Sequence, residues 1–406
     1  MDGMVMAGCG QGGMARAGRR LRAAACAGMV VACAAACGSA AGPHARYSPA
    51  RGASAARATH AVPASAPASA YVKRADFLNS VSCTAVSACT AVGSHYYGAT
   101  RPRRTLIERW NGTAWQLQRS PGQGRGSQLT GVSCAAANAC TAVGSPAQAW
   151  NGTRWRVSPA APVTSVSCLS PASCQAVGVS PQGRPLAARW DGRTWQAESV
   201  PMPPGQPQTI TLAGVSCATA MFCMAVGDYS SGAGARPSPA FRDRTLAEAW
   251  DGSRWRIVHT ASPANRSALS GVSCTSPRAC MAVGTSTAQR TLAERWNGTS
   301  WRAERTPNVN NIGYSSLYGV SCASPGACIA VGTYNGGIFG IAERWNGTAW
   351  TIERLPSPPG QAVIEQPSVS CTSPTACTAV ATDLGRTLAE AWNGKSWDIQ
   401  PTPDPP

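Results

Sequence analysis

The chain has 406 residues, only 13% of them charged, and its formal net charge is +17. A hydrophobic content of 44% excludes a fully disordered chain, and the length allows one large domain or two medium ones, each with its own core. No apolar run long enough to span a bilayer follows residue 45, which excludes a multi-pass membrane protein.

From the N-terminus, residues 1–41 read as an export signal. Arg16, Arg19, Arg20 and Arg22 form a positive segment, and an alanine-rich apolar stretch follows as far as Ala41. Met14 is a second candidate start. Val30-Val31-Ala32-Cys33 is similar to a bacterial lipobox, which makes Cys33 the candidate for lipidation. Cleavage at a small-residue site near Ala36 or Ala41 is the alternative. Residues 42–74, rich in Ala, Ser, Pro and Arg, should form a flexible linker. Lys73 and Lys395 are the only lysines, so the basic charge is almost entirely arginine, and it is scattered. For an exported chain this fits attraction to an anionic envelope better than nucleic-acid binding, and an ordinary solvated arginine surface better than either.

The remainder, 75–406, is one unit repeated seven times. Each begins Val-Ser-Cys, and a second cysteine follows after five residues. The cysteine pairs are Cys83 and Cys89, Cys134 and Cys140, Cys168 and Cys174, Cys217 and Cys223, Cys274 and Cys280, Cys322 and Cys328, and Cys371 and Cys377. An Ala-Val dipeptide comes next, usually with Gly after it. Then come Trp-(Asn/Asp)-Gly and a second Trp, so that all 14 tryptophans fall in repeat slots.

Each unit holds four strand candidates: a (Val-Ser-Cys), b (Cys-x-Ala-Val), c (ending at the first Trp) and d (starting at the second). Asn-Gly or Asp-Gly between the tryptophans is a hairpin signal, since both residue types tolerate positive φ. Four-stranded units of about 35–55 residues match the spacing of β-propeller blades. The units resemble kelch-type blades, without the kelch double glycine and with cysteines added. Residues 78–402 resemble the secreted Val-Ser-Cys/Trp-Asn-Gly repeat proteins of actinobacteria, a group of uncharacterised function. The expected fold is all-β: a seven-bladed β-propeller of four-stranded antiparallel blades. The blades should span roughly 78–121, 129–160, 163–203, 211–263, 269–307, 317–358 and 366–402.

Strand alternation puts both tryptophans of a unit on one face, where they should pack against a neighbouring blade; small residues occupy the other face. Export, an even count and opposed positions across a turn predict one disulfide within each blade. Zinc is disfavoured by the five-residue spacing and by the presence of only His95 and His259 in the repeats. No metal or cofactor is implied. The glutamate that recurs as Glu108, Glu248, Glu294, Glu343 and Glu390 reads as a structural acceptor within each blade, because a catalytic acid would not occur five times.

Antiparallel order places the b–c and d–a connections on one face, and all length variation falls there. The b–c loops are long at 94–104, 228–244 and 333–340; the d–a loops are long at 201–211 and 308–316. The scarce non-repeat aromatics and several arginines map to them. Tyr96, Tyr97, Arg101, Arg104, Tyr229, Arg242, Tyr314, Tyr334 and Phe339 are the candidate ligand-binding residues, since Tyr and Arg anchor recognition surfaces. The alternative is that the aromatics pin long loops to the blade tops. No catalytic residue is assigned. The expected function is a monomeric binding or scaffolding propeller, secreted or lipid-anchored at the extracellular face of a bacterial membrane. Its partner would be a glycan, an envelope polymer or a protein. A secreted hydrolase or lyase acting on polysaccharide is the alternative. Residues 71–77 are candidates for an added outer strand.

Overall fold

Seven four-stranded antiparallel sheets, each ordered a-b-c-d, account for the regular structure among the described residues. The computed structural model describes residues 75–406, except 98–101, 123, 125, 160–162, 206, 208, 232–241, 262–265, 287–289, 308, 310–312, 357–362, 404 and 406. The export signal, the linker, Cys33 and Arg101 lie outside the described residues. Blade 1 is typical: strand a is Ala75–Ala85, b Ala88–Tyr96, c Arg104–Trp110 and d Trp115–Leu117. Strand a of each blade lies beside strand a of the next, and strand a of blade 1 lies against that of blade 7. The a strands therefore ring a central axis, and the d strands form the rim. The fold is a seven-bladed β-propeller.

Each interface has the two-sided character that strand alternation predicts. Leu269, Val272, Cys280, Trp296 and Trp301 of blade 5 pack on Met224, Val226 and Ala247 of blade 4. The same pattern recurs around the ring. The two tryptophans of a blade are directly opposed, as in Trp296↔Trp301, with ring centroids 5.8 Å apart. Eleven of the fourteen tryptophans are buried and the other three half-buried, and each pair is worth about 0.5–1.5 kcal/mol beyond area burial.

All seven intra-blade disulfides form, between directly opposed residues with Cα atoms 3.9–4.0 Å apart. At such a non-hydrogen-bonded pair the strand-a N–H points away from strand b, toward the open inner edge. The serine of the preceding blade's Val-Ser-Cys accepts it. Cys134 N donates to Ser82 Oγ at 3.0 Å, and Cys168 N to Ser133 Oγ at 2.9 Å. The series continues through Ser167, Ser216, Ser273 and Ser321, and Cys83 N closes it on Ser370 Oγ at 2.9 Å. The invariant serine thus satisfies backbone donors that an inner edge strand would otherwise leave bare.

Three expectations are corrected. Residues 75–77 extend the inner strand a of blade 1 (Ala75↔Tyr96, Phe77↔Ser94) instead of adding an outer strand, because their partner is the long strand b. The Trp-Asn-Gly turn has four residues, and only its glycine has positive φ (96° at Gly112). Asn111 instead accepts from Thr113 N, Thr113 Oγ1 and Ala114 N through Oδ1. Asp191 and Asp251 do the same work, which explains why Asn and Asp interchange; the amides of Thr194 and Arg193 hold the Asp191 carboxyl down at about 2. Finally, two members of the recurrent glutamate slot bond across blade interfaces. Ala261 N of blade 4 donates to Glu294 of blade 5 at 2.9 Å, and Ser120 of blade 1 donates to Gln148 of blade 2.

Candidate binding site between blades 6 and 7

One face of the ring is fixed by the repeat. Its a–b and c–d turns pack on each other, with Gly112 against Ser87. On the other face the b–c connections vary in length. Residues expected in loops sit at strand ends. Strand b of blade 1 runs to Tyr96, that of blade 4 to Ser231 and that of blade 6 to Tyr334.

The blade 6 arm pairs Tyr334 with Phe339 across its tip, the rings stacked with centroids 5.2 Å apart. Asn335, Gly336 and Gly337, all at positive φ, make the turn. The arm is tied on one side by Gly336 N to Tyr314 O (3.2 Å) and on the other by Ile364 N to Gly337 O (3.1 Å). Beneath it, between blades 6 and 7, lies a cavity of about 540 Å³. Tyr334, Phe339, Ile341, Leu355, Ile364 and Leu388 form much of its wall.

Blade 7's sequence explains the cavity. Five blades bury a leucine three residues before the strand-a valine: Leu78, Leu129, Leu212, Leu269 and Leu317; blade 3 buries Val163 there. Blade 7 has Gln366, exposed and at φ 43°. The glycine closing strand b is also missing. A Cβ at Gly93 or Gly332 would land on the strand-a carbonyl of Phe77 or Ser316, so those positions require glycine while strand a passes so close. Blade 7 carries Ala381 in this slot. Its strand a steps from the pair Glu365↔Thr382 to Ser368↔Val380, leaving Gln366 and Pro367 unpaired opposite Ala381. The added methyl displaces the strand, the buried leucine is lost, and the interface opens.

At the wall of this opening stands Glu390, which is 6% exposed. Burial pushes its carboxyl up to about 8, so near neutral pH it carries its proton and can donate a hydrogen bond. Glu353 and Arg354 also face the cavity, and Arg344 Nε holds Glu353 at 2.6 Å. In the sequence Glu390 is one of five equivalent residues. The signal that singles it out is the loss of glycine and leucine in its own blade.

The other candidate residues are spread over the same face. Tyr96 stacks on Phe77 at 6.0 Å, with the Arg103 guanidinium 5.9 Å from its ring. Tyr97 lies edge-on to His95 at 5.6 Å. Arg104 opens strand c of blade 1 and is exposed. Tyr229 packs on the blade 3–4 core, as the pinning alternative has it. Arg242 pairs through its backbone with Ser231, and its side chain lies outside the description. Tyr314 is 57% exposed beside the blade 6 arm. The structure therefore brings Tyr334 and Phe339 together, sets Tyr314 beside them, and leaves the blade 1 and blade 4 residues apart from that cavity.

No protein-family model matches the sequence, and neither does any curated protein. Solved structures do resemble this one. YCF48 from Cyanidioschyzon merolae overlaps at TM-score 0.50 and 12% identity, over 79% of this chain and 96% of that one. A chain of a mitotic checkpoint complex overlaps at 0.52 and 11%, over 78% and 89%. At such identities the likeness concerns the fold alone. A lectin from Aleuria aurantia, solved with alpha-methyl-L-fucoside, overlaps at 0.48 and 12%, over 82% and 98%, too little to carry a ligand across.

Proposed function

We propose that the chain is a binding propeller displayed outside the cell, and that the cavity between blades 6 and 7 receives a sugar unit of an envelope glycan. The observation that carries this reading is the cavity itself: about 540 Å³, on the variable face, with a stacked aromatic pair on its wall and a buried acid within. Ligand pockets of this size combine apolar walls with a few placed polar groups. A pyranose offers both complements, C–H faces for Tyr334 and Phe339 and hydroxyls for Glu390, Glu353 and Arg354. The export signal supports the location.

The test is binding of the purified, oxidised protein to isolated cell-wall polysaccharide and to a panel of soluble glycans, beside Phe339→Ala and Leu388→Trp variants. Loss of binding in both variants is expected, and equal binding by all three proteins would place recognition elsewhere. Raising the pH above about 8 should weaken binding by ionising Glu390. Release of reducing ends during the assay would turn the reading toward a hydrolase.

A further inference from the structure

A second pocket, of about 250 Å³, lies on the same face at the mouth of the central channel, and its lining is of another kind. Three amides (Asn79, Gln128, Gln366), three hydroxyls (Ser94, Thr130, Thr382), Arg103, Glu365 and Phe77 converge there from blades 7, 1 and 2. The repeat does not demand these side chains. At the strand-a positions of Phe77 and Asn79, blade 4 has Thr211 and Ala213, and blade 5 has Ala268 and Ser270. Arg103 is held in place, its guanidinium 5.6 Å from the Phe77 ring centroid and donating to Gln128 Oε1. Asn79 Nδ2 donates to Leu129 O at 2.7 Å, which leaves its carbonyl oxygen to accept.

Both charge signs are present, so a simple anion or cation is poorly matched. Amides and hydroxyls each donate and accept, which suits a ligand whose groups do the same. Vicinal hydroxyls have that character, and planar Asn, Gln, Glu and Arg ends can grip two at once. The pocket also adjoins the first. In the segment 364–367, Ile364 and Pro367 line the cavity between blades 6 and 7, while Glu365 and Gln366 line the channel-mouth pocket. The displaced strand that opens one site therefore supplies two walls of the other.

We propose that the channel-mouth pocket binds a further sugar unit, so that the ligand is an oligosaccharide running from the blade 6–7 cavity over residues 364–367 to the channel mouth. This rests on the carbohydrate reading of the first cavity. Glu365 and Gln366 are both exposed, so their variants leave the core intact.

The experiment uses the full oxidised protein. Its probes are mono- to hexasaccharides made by partial acid hydrolysis of cell-wall polysaccharide, titrated calorimetrically against wild type, Glu365→Ala, Gln366→Gly and Phe339→Ala. Wild-type affinity should rise with length up to the unit that reaches the second pocket. Glu365→Ala and Gln366→Gly should then weaken the longer probes about five- to tenfold and leave the shortest binder unchanged. Phe339→Ala should weaken every length. Binding that ignores length, or longer probes unaffected by Glu365→Ala and Gln366→Gly, would overturn the second subsite alone. No binding by any probe, or full binding by Phe339→Ala, would overturn the carbohydrate reading and this inference with it.

Discussion

Replacing Glu248 with glutamine should stabilise the propeller, by an amount set by pH. Glu248 is 0% exposed, and neither carboxylate oxygen has a hydrogen-bond partner. Burial pushes its carboxyl up from 4.5 to about 8. The folded state therefore holds a proton that the unfolded chain releases. The contribution of this group to stability is intact below about pH 4.5 and is lost progressively as pH rises toward 8. At pH 7 the interval from 4.5 corresponds to about 3 kcal/mol, an upper figure because local opening or a buried water would reduce it. Glutamine fills the same volume with nothing to ionise, and blade 2 already carries Gln148 in this slot, also 0% exposed. Guanidinium unfolding of oxidised wild type and Glu248→Gln, followed by tryptophan fluorescence, should give near-coincident midpoints at pH 4.5. The variant should gain steadily up to about pH 8. A difference that does not change with pH, or a variant weaker at pH 8, would refute the reasoning.

The double variant Gln366→Leu/Ala381→Gly restores the repeat at blade 7. It should raise stability by about 1–2 kcal/mol in the same assay while abolishing ligand binding, because the leucine refills the cavity. Ser216→Ala removes the acceptor for Cys274 N and should cost about 1 kcal/mol, the net worth of a half-buried hydrogen bond, read from the denaturation midpoint. Asn297→Ala loses three hydrogen bonds in its turn and should cost about 1 kcal/mol, whereas Asn297→Asp should be tolerated, as Asp251 shows in blade 4.

Whatever the repeat imposes was legible in the sequence. Cys274 and Cys280, or Trp296 and Trp301, recur at fixed spacing because every blade meets the same neighbour, and alternation alone places them on one face. The serine of Val-Ser-Cys was equally invariant, yet its role was hidden, since its partner is a backbone N–H about fifty residues away, as in Ser216 and Cys274 (|i−j| = 58). The candidate site was legible only in part. Tyr334 and Phe339 stood out as aromatics outside the tryptophan slots. Glu390 was masked by its four counterparts, and the cavity depends on a clash between Ala381 and a strand-a carbonyl that no periodicity expresses. In a repeat protein the informative residues are those where one unit breaks the pattern.

The serine-to-cysteine bonds close on themselves, and this bears on how such a chain can change length. Each blade completes its own sheet and its own disulfide, donates its cysteine N–H to the serine of the blade before and accepts the equivalent bond from the blade after. Blades 7 and 1 meet through the same contact, with Trp115 Nε1 on Gln400 Oε1 at 2.9 Å and Asp76 N on Gly385 O at 2.8 Å, and no strand is exchanged between them. The junction of the two ends is thus an ordinary interface without a clasp. Each unit of the sequence is a finished module whose bonding to its neighbours is the same in kind on either side. New termini cut between blades 4 and 5 or blades 5 and 6 would meet a surface of the same kind.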